Sequence, residues 1–390
     1  MILSCVPKRT PSASYSVDRH PPALVHLSRR TFAATALGAS FAFTTRAQFS
    51  PIRRFLDSST EIEMLCLSDP SRASYLPFNY NRSSSSRQNF VVYSMEGPQG
   101  PQAYRLELKG GILKPLTNAA ALHPRALALS PDDKTLFFTD GDLLLATSAN
   151  SLSKPRELYK ASNADAFQSG FSLSEDGATI VFLDGSKLIA VPLKTTTKAT
   201  PQVLTETSAS CHDCIATKGN AILFRDAQQA IHLYTPGAKP RPLPIEAKAG
   251  KLGPAIWNPD GRSFLFLRTE QGRGVSNTLH EFSLDTNQET LVGKTSQFVD
   301  FNRNGDSSVF VGASGSKAQP YILLMLRITR RELALCEHKS SDATQVSPVF
   351  SPSSKRLFFQ SDRLGKSAIF SVAVDRLVEP TEAEEDPKKT

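Results

Sequence analysis

Cysteine is scarce in this chain, five among 390 residues, and one of the five lies within the first 47. So few thiols over such a length exclude a small disulfide-stapled scaffold. Cys66, Cys211, Cys214 and Cys336 remain, and Cys211-His212-Asp213-Cys214 is the sole C-x-x-C pair. A structural zinc site needs four N or S ligands, so the pair reads as two thiols at a strand start or as a local disulfide. Long apolar runs are missing too. Residues 33–44, a mildly apolar stretch, fall short of the ~20 residues that a membrane-crossing helix requires. Beyond residue 47 there is no long helix-period stretch, and the chain has no nucleophile motif, phosphate loop or H-E-x-x-H. A strong charge of one sign is likewise absent. The formal net charge is +8, but the first 47 residues hold six of the 45 Lys/Arg and one of the 37 Asp/Glu, leaving 39 against 36. A net of +3 with no basic stripe and no interleaved aromatics excludes a nucleic-acid-binding surface.

What the chain has is a repeat. A turn written S/N-x-D/N-G/D followed by a short apolar strand recurs about every 44 residues, the period of β-propeller blades. Ser130 opens S-P-D-D before Leu136-Phe137-Phe138, Ser174 opens S-E-D-G before Ile180-Val181-Phe182, and Asn258 opens N-P-D-G before Phe264-Leu265-Phe266. Asn302 (N-R-N-G) and Ser351 (S-P-S-S) follow the same plan, and weaker copies start at Ser85 and Ala216. Seven anchors predict an all-β, seven-bladed β-propeller. In the third unit, residues 170–174, 179–183, 187–192 and 202–205 are the four expected strands, with an Asp184-Gly185 turn. The last unit supplies three, near 348–351, 356–361 and 368–374. Residues 61–67 are the unassigned candidate for the fourth, and that pairing would close the ring and remove an open sheet edge.

The order of segments predicts an exported protein. Ser28-Arg29-Arg30-Thr31-Phe32 is a twin-arginine motif, followed by the apolar stretch and a small-residue end at Thr45-Arg46-Ala47. The resulting organisation is a leader (1–47), a lead-in (48–60), the propeller (61–377) and a polar, acidic tail (378–390). The expected location is the periplasm or the medium, with no membrane span in the mature chain, and the expected state is a monomer.

The S-P-D-G unit, and above all Ser347-Pro348-Val349-Phe350-Ser351-Pro352 with the run from Phe358 through Gly365, resembles the TolB-like, WD40-like propeller repeats of bacterial envelope proteins. More narrowly, Ser68-Asp69-Pro70, the stretch Gln102-Ala103-Tyr104-Arg105-Leu106-Glu107-Leu108 with Leu116-Thr117, and the run from His212 through Gly261 resemble the oligogalacturonate lyases. The resemblance covers most of the chain after residue 47. It implies a channel that takes acidic oligosaccharide such as pectin fragments, and β-elimination assisted by a divalent metal such as manganese held by late-blade histidines and a glutamine. The TolB-like side of the resemblance implies a non-catalytic scaffold gripping an envelope protein. The enzyme reading and the binding reading are both open.

Residues about four before each anchor are expected to face the channel, which selects Ala126, Gly170, His212, Pro254, Phe298 and Ser347, with Gln345 two residues earlier. His212 is the one candidate base among them and matches the family's inner histidine. Arg125, one residue before a channel position, could reach inward for a carboxylate or take an outer ion pair. Gln345 is the second candidate substrate contact. The positions that the resemblance would give to metal ligands are Pro254, Gln345 and Ser347, which form no cage, so no metal or other cofactor is expected unless the lyase reading holds. Trp257 is expected to pack between blades. His123 and His232 read as structural or exposed, and His280 and His338 as solvated outer-strand residues.

Overall fold

The computed structural model describes residues 48–49, 52–193, 200–207, 212–216, 221–226, 228–245, 250–270 and 276–375, with the backbone alone at 48–49, 212–216, 250 and 270. These form seven antiparallel sheets of four or five strands. Blade 1 is built from Ser74–Tyr75, Phe90–Gly97, Gly100–Glu107 and Ile112–Pro115, and blade 2 from Leu122–Leu129, Thr135–Asp140, Leu143–Ser148 and Arg156–Lys160. Blade 3 runs from Ser172–Leu173 to Gln202–Glu206, blade 4 from His212–Ala216 to Arg241–Pro242, blade 5 from Gly250–Trp257 to Gln288–Lys294 and blade 6 from Phe298–Arg303 to Glu332–Glu337. Blade 7 takes Val349–Phe350, Arg356–Ser361 and Ala368–Ala373 from the end of the propeller.

The physical reason for the ring is visible in the second strand of each blade. Thr179–Asp184 is buried along its whole length, because both faces of a radial sheet pack on neighbouring blades. Such strands therefore read as apolar runs rather than as alternation. The apolar cores lie between blades: Val92 with Leu127 (1 and 2), Phe137 with Ile180 (2 and 3), Val181 with Phe224 (3 and 4), Leu233 with Phe264 (4 and 5), Leu265 with Phe310 (5 and 6), Val311 with Phe359 (6 and 7). Tyr93 with Phe358 joins blade 1 to blade 7.

Closure follows the expectation. Glu63–Cys66 pairs antiparallel with the last strand, Met64 opposite Val372 and Cys66 opposite Phe370. Arg53–Leu56, in the lead-in segment, adds a fifth strand to blade 7, and Gln48–Phe49 adds one to blade 1. Met64 and Cys66 are fully buried, and each contributes roughly 2 kcal/mol of apolar burial. The loop after Arg53–Leu56 fastens the seam further, with the buried Asp57 carboxylate accepting from Glu337 N at 3.0 Å. No helix among the described residues is long and apolar enough to cross a membrane.

The recurring turn owes its sequence to hydrogen bonding. Ser174 Oγ accepts from the N–H groups of Ala178 and Thr179, while Gly177 N donates to Ser174 O. The fourth residue sits at positive φ: glycine in blades 3 and 5 (Gly177, Gly261), but Gln88, Asp133, Ser307 and Ser354 in blades 1, 2, 6 and 7. In blade 6 the residue that makes these bonds is Asn304, whose Oδ1 accepts from Val309 N. The sixth anchor is thus Asn304 rather than Asn302.

Candidate functional site

Because each blade is radial, the pleat of an inner strand sends its side chains toward neighbouring blades, not toward the axis. Ala126 and Phe298, expected in the channel, are accordingly fully buried in inter-blade cores. The axis is reached where inner strands bulge: between Leu122 and Leu127, His212 and Ile215, Leu252 and Ala255, and Phe298 and Asp300. A bulge re-aims the side chains it carries. Those of blades 2 and 6 carry His123, Arg125 and Asp300.

Blade 1 departs further. Its inner strand pairs at Ser74–Tyr75, leaves the sheet, and rejoins at Ser84, which bridges Val91. The intervening residues form a strap. Leu76 N donates to Gln360 Oε1 of blade 7, Phe78 N to Arg125 O of blade 2, and Tyr80 OH to Ser169 O ahead of blade 3. Asn79 Nδ2 donates to Asp300 Oδ1 at 3.1 Å, and Asn302 Nδ2 donates to Asn79 O at 2.7 Å, both in blade 6. Asn81 joins blades 2 and 3 through Leu127 O, Phe171 O and Leu173 N. A segment touching blades 2, 3, 6 and 7 at once lies on the axis. Gly170 makes room for it: at φ 71°, an added Cβ would stand 2.5 Å from the Phe78 ring.

Above the strap, at the mouth where the chain enters the inner strands, sits the charged cluster. The Arg125 guanidinium lies 4.7 Å from the Phe78 ring centroid and donates from Nη2 to Ser347 Oγ at 2.5 Å. Its Nε–H is buried without an acceptor. Burial lowers the Arg125 pKa, with Asp300 opposing. Burial also pushes the Asp300 carboxyl up to about 6, against the Arg125 charge and the hydrogen bonds from Phe301 N and Asn79. His123 stacks on Phe78 with ring centroids 5.9 Å apart, and its Nδ1 accepts from Ala126 N at 3.0 Å. Burial, then Arg125, lowers its pKa, and the bond accepted at Nδ1 favours the tautomer that carries its proton on Nε2.

The three candidate residues do not all converge. Arg125 meets Ser347 at the channel wall. Gln345 is exposed and lines a separate cleft of about 430 Å³ with Tyr75, Gln360 and Lys366. His212 opens the inner strand of blade 4 opposite Arg225, and its side chain lies outside the described residues, as do Cys211 and the side chain of Cys214. Cys66 and Cys336 are free and buried. Trp257 packs edge-on against Phe264. His123 is half-buried in the channel cluster with Nδ1 hydrogen-bonded, in line with its structural reading, whereas His338 is buried, its Nε2 2.9 Å from Ser314 O, rather than solvated. Asp300 was missed because the sixth anchor had been set at Asn302. Counted from Asn304, Asp300 falls four residues before it.

The donors do not fit the metal centre that the resemblance implies. Pro254 offers no side-chain ligand, and Ser347 already faces the Arg125 cation. Among the described residues no group of three or more His, Cys, Asp or Glu is placed to hold a metal ion.

No protein-family model and no curated protein matches the chain. Its fold is similar to that of an oligogalacturonate lyase solved in complex with manganese: TM-score 0.75, 18% identity, over 84% of this chain and 97% of the other. A second oligogalacturonate lyase, from Vibrio parahaemolyticus, matches at TM-score 0.75 and 17% identity over 85% and 98%. TolB from Acinetobacter baumannii aligns over 64% of each chain at TM-score 0.43 and 14% identity, too partial an overlap to carry an argument. At these identities the likeness establishes a seven-bladed propeller of the lyase architecture.

Proposed function

We propose that this chain is an exported, monomeric binding propeller that holds an acidic oligosaccharide, of the pectin-fragment kind, at the mouth of its channel above the strap, without breaking it. One observation carries the reading. Arg125 is a half-buried cation that meets no carboxylate within ion-pairing distance among the described residues, and its buried Nε–H has no acceptor. A guanidinium so placed gains most from a carboxylate that completes its hydrogen bonds. His212, which opens the inner strand of blade 4, would contact a neighbouring sugar hydroxyl, and Gln345, in its separate cleft, would do so for an oligomer long enough to reach it. Turnover is not part of the proposal, since elimination needs a cation to stabilise the enediolate and a base beside it, and the donor set supports no metal there. Calorimetric titration with galacturonate oligomers, with and without manganese, tests it alongside absorbance of unsaturated product. Heat without product, abolished in Arg125→Gln, is expected; no heat rejects binding, and product rejects the non-catalytic reading.

A second reading is favoured by the strap, which fills the axis with the chain's own residues and leaves the rims free. In it the chain is an envelope scaffold that grips a protein partner. A stoichiometric complex that survives Arg125→Gln and His212→Ala but is lost on changing rim loops would favour this reading over sugar binding.

A further inference from the structure

Below the strap lies a second space, a cavity of about 450 Å³ at the mouth formed by the recurring turns. Residues 79–83 of the strap line it, and Arg125 does not. The second residue of each described turn is on its wall: Ser86, Pro131, Glu175, Pro259, Gly305 and Pro352. Five of these are uncharged and small or prolyl; Glu175 is the exception. The residue just before the anchor is Leu129, Leu173, Trp257 and Phe350 in blades 2, 3, 5 and 7, and Arg303 in blade 6. Two positions of the repeat therefore break its pattern, with opposite charges, and both face one cavity. Charges that the repeat does not require are where function is to be sought.

The two charges do not neutralise each other directly. Blades 3 and 6 stand three apart in a ring of seven, so Glu175 and Arg303 are on opposing walls. Arg303 spends Nε on Trp257 O at 2.6 Å and Nη1 on Asn304 O at 3.0 Å, and among the described residues Nη2 has no hydrogen-bond partner. Burial lowers its pKa, and Glu175, ahead of Asp260 and Asp306, opposes that shift. Among the described residues the Glu175 side chain makes no hydrogen bond or ion pair. Other charges nearby among the described residues are engaged. Arg82 pairs with Asp133 at 2.5 Å, Asp260 accepts from Arg262 N and Asp306 from Ser308 N.

We propose that this cavity binds a zwitterion, an amino acid or short peptide whose carboxylate takes Arg303 and whose ammonium takes Glu175. A polyuronate would bring its negative charges past Glu175, Asp260 and Asp306, whereas a zwitterion satisfies both free groups at once. The volume accommodates a single residue or a dipeptide, and the prolyl rim makes the aperture rigid.

The test is calorimetry on the full chain with alanine, phenylalanine and Ala-Ala, with N-acetylalanine and alaninamide as probes lacking one charge, and with galacturonate. At least one zwitterion is expected to bind, the capped probes about tenfold or more weaker, and Glu175→Gln or Arg303→Gln to lose about tenfold. Glu175→Gln touches no structural contact, so it reports even if Arg303→Gln unfolds for want of its bond to Trp257. Capped probes binding as well as free ones, Glu175→Gln leaving affinity within about twofold, or no zwitterion binding at up to about 10 mM would overturn the assignment. Because Arg125 lies on the other side of the strap, Arg125→Gln is expected to leave zwitterion binding intact. Galacturonate lost only in Arg125→Gln and zwitterion lost only in Glu175→Gln would separate this site from the one proposed above.

Discussion

The two spaces divided by the strap hold the same kinds of charge in different surroundings. Above it, Arg125 and Asp300 are walled in by Phe78, Asn79 and Ser347, and burial moves both pKa values toward neutrality. Below it, Arg303 and Glu175 line a cavity of about 450 Å³, and among the described residues Nη2 of Arg303 has no hydrogen-bond partner, although burial lowers the Arg303 pKa too. One segment of eight residues thus separates the two groups of charges. Desolvation is felt on both sides, since burial lowers the Arg303 pKa as it does that of Arg125; what differs is that Arg303 lines a cavity with room for a ligand while Arg125 and Asp300 are closed in by side chains.

The sharpest way to break this comparison is to displace the strap. Gly170→Ala places a methyl group 2.5 Å from the Phe78 ring and forces alanine to φ 71°, so a loss of roughly 3 kcal/mol or more is expected in denaturant unfolding. Water then enters above the strap, and the Asp300 carboxyl should return toward its ordinary value. An unchanged midpoint would mean that the strap does not pack on blade 3. Asn81→Ala is the next largest. It removes three hydrogen bonds between the strap and blades 2 and 3 and leaves Leu173 N without its acceptor, for about 3 kcal/mol in the same measurement. A loss under about 0.5 kcal/mol would show that these bonds are replaced by water.

The propeller was legible because its signals are local and repeated. A serine or asparagine that caps its own turn, followed by a strand buried on both faces, recurs often enough to fix the blade number, and the unassigned residues 61–67 point to the seam. The strap was not legible, because leaving a sheet for eight residues and bonding to four other blades is a long-range event. Nothing in Leu76-Pro77-Phe78-Asn79-Tyr80 marks it except a proline where an inner strand would continue. The channel residues failed for a geometric reason. Alternation in a radial sheet points Ala126 and Phe298 sideways, and only the bulges, invisible to a fixed offset, bring Arg125 and Asp300 to the axis. Arg125 was found through its chemistry, as a guanidinium beside a channel position, and Asp300 was lost through a two-residue slip of one anchor.

The charge environment above the strap has a measurable pH signature. With its folded pKa raised to about 6 from an ordinary 3.8, Asp300 is protonated in the folded chain and ionised in the unfolded one between those values. Its contribution to stability is therefore present at low pH and lost as pH rises through 6. Going from pH 7 to pH 5 should strengthen the fold through this group by about 1 kcal/mol. Comparing urea midpoints at the two pH values in the natural chain and in Asp300→Asn isolates that share, and equal differences in both chains would rule it out. Arg125→Gln removes the main charge that opposes the shift, so the Asp300 pKa should climb further, as a carboxyl-resolved NMR titration would show.

The smallest effect belongs to the turns that frame the cavity below the strap. Ser307 takes the left-handed position of its turn at φ 60°, where blades 3 and 5 use glycine, and its buried hydroxyl has no partner. Ser307→Gly relieves both, offset by the greater freedom of the unfolded chain, for a net gain of about 0.5 kcal/mol. The substitution should leave zwitterion and galacturonate binding unchanged, since Arg303 is held by Trp257 O, Asn304 O and Gly305 O and not by this side chain. A change in zwitterion affinity without a change in stability would instead show that the backbone of this turn, rather than the Arg303 guanidinium alone, shapes the wall of the cavity.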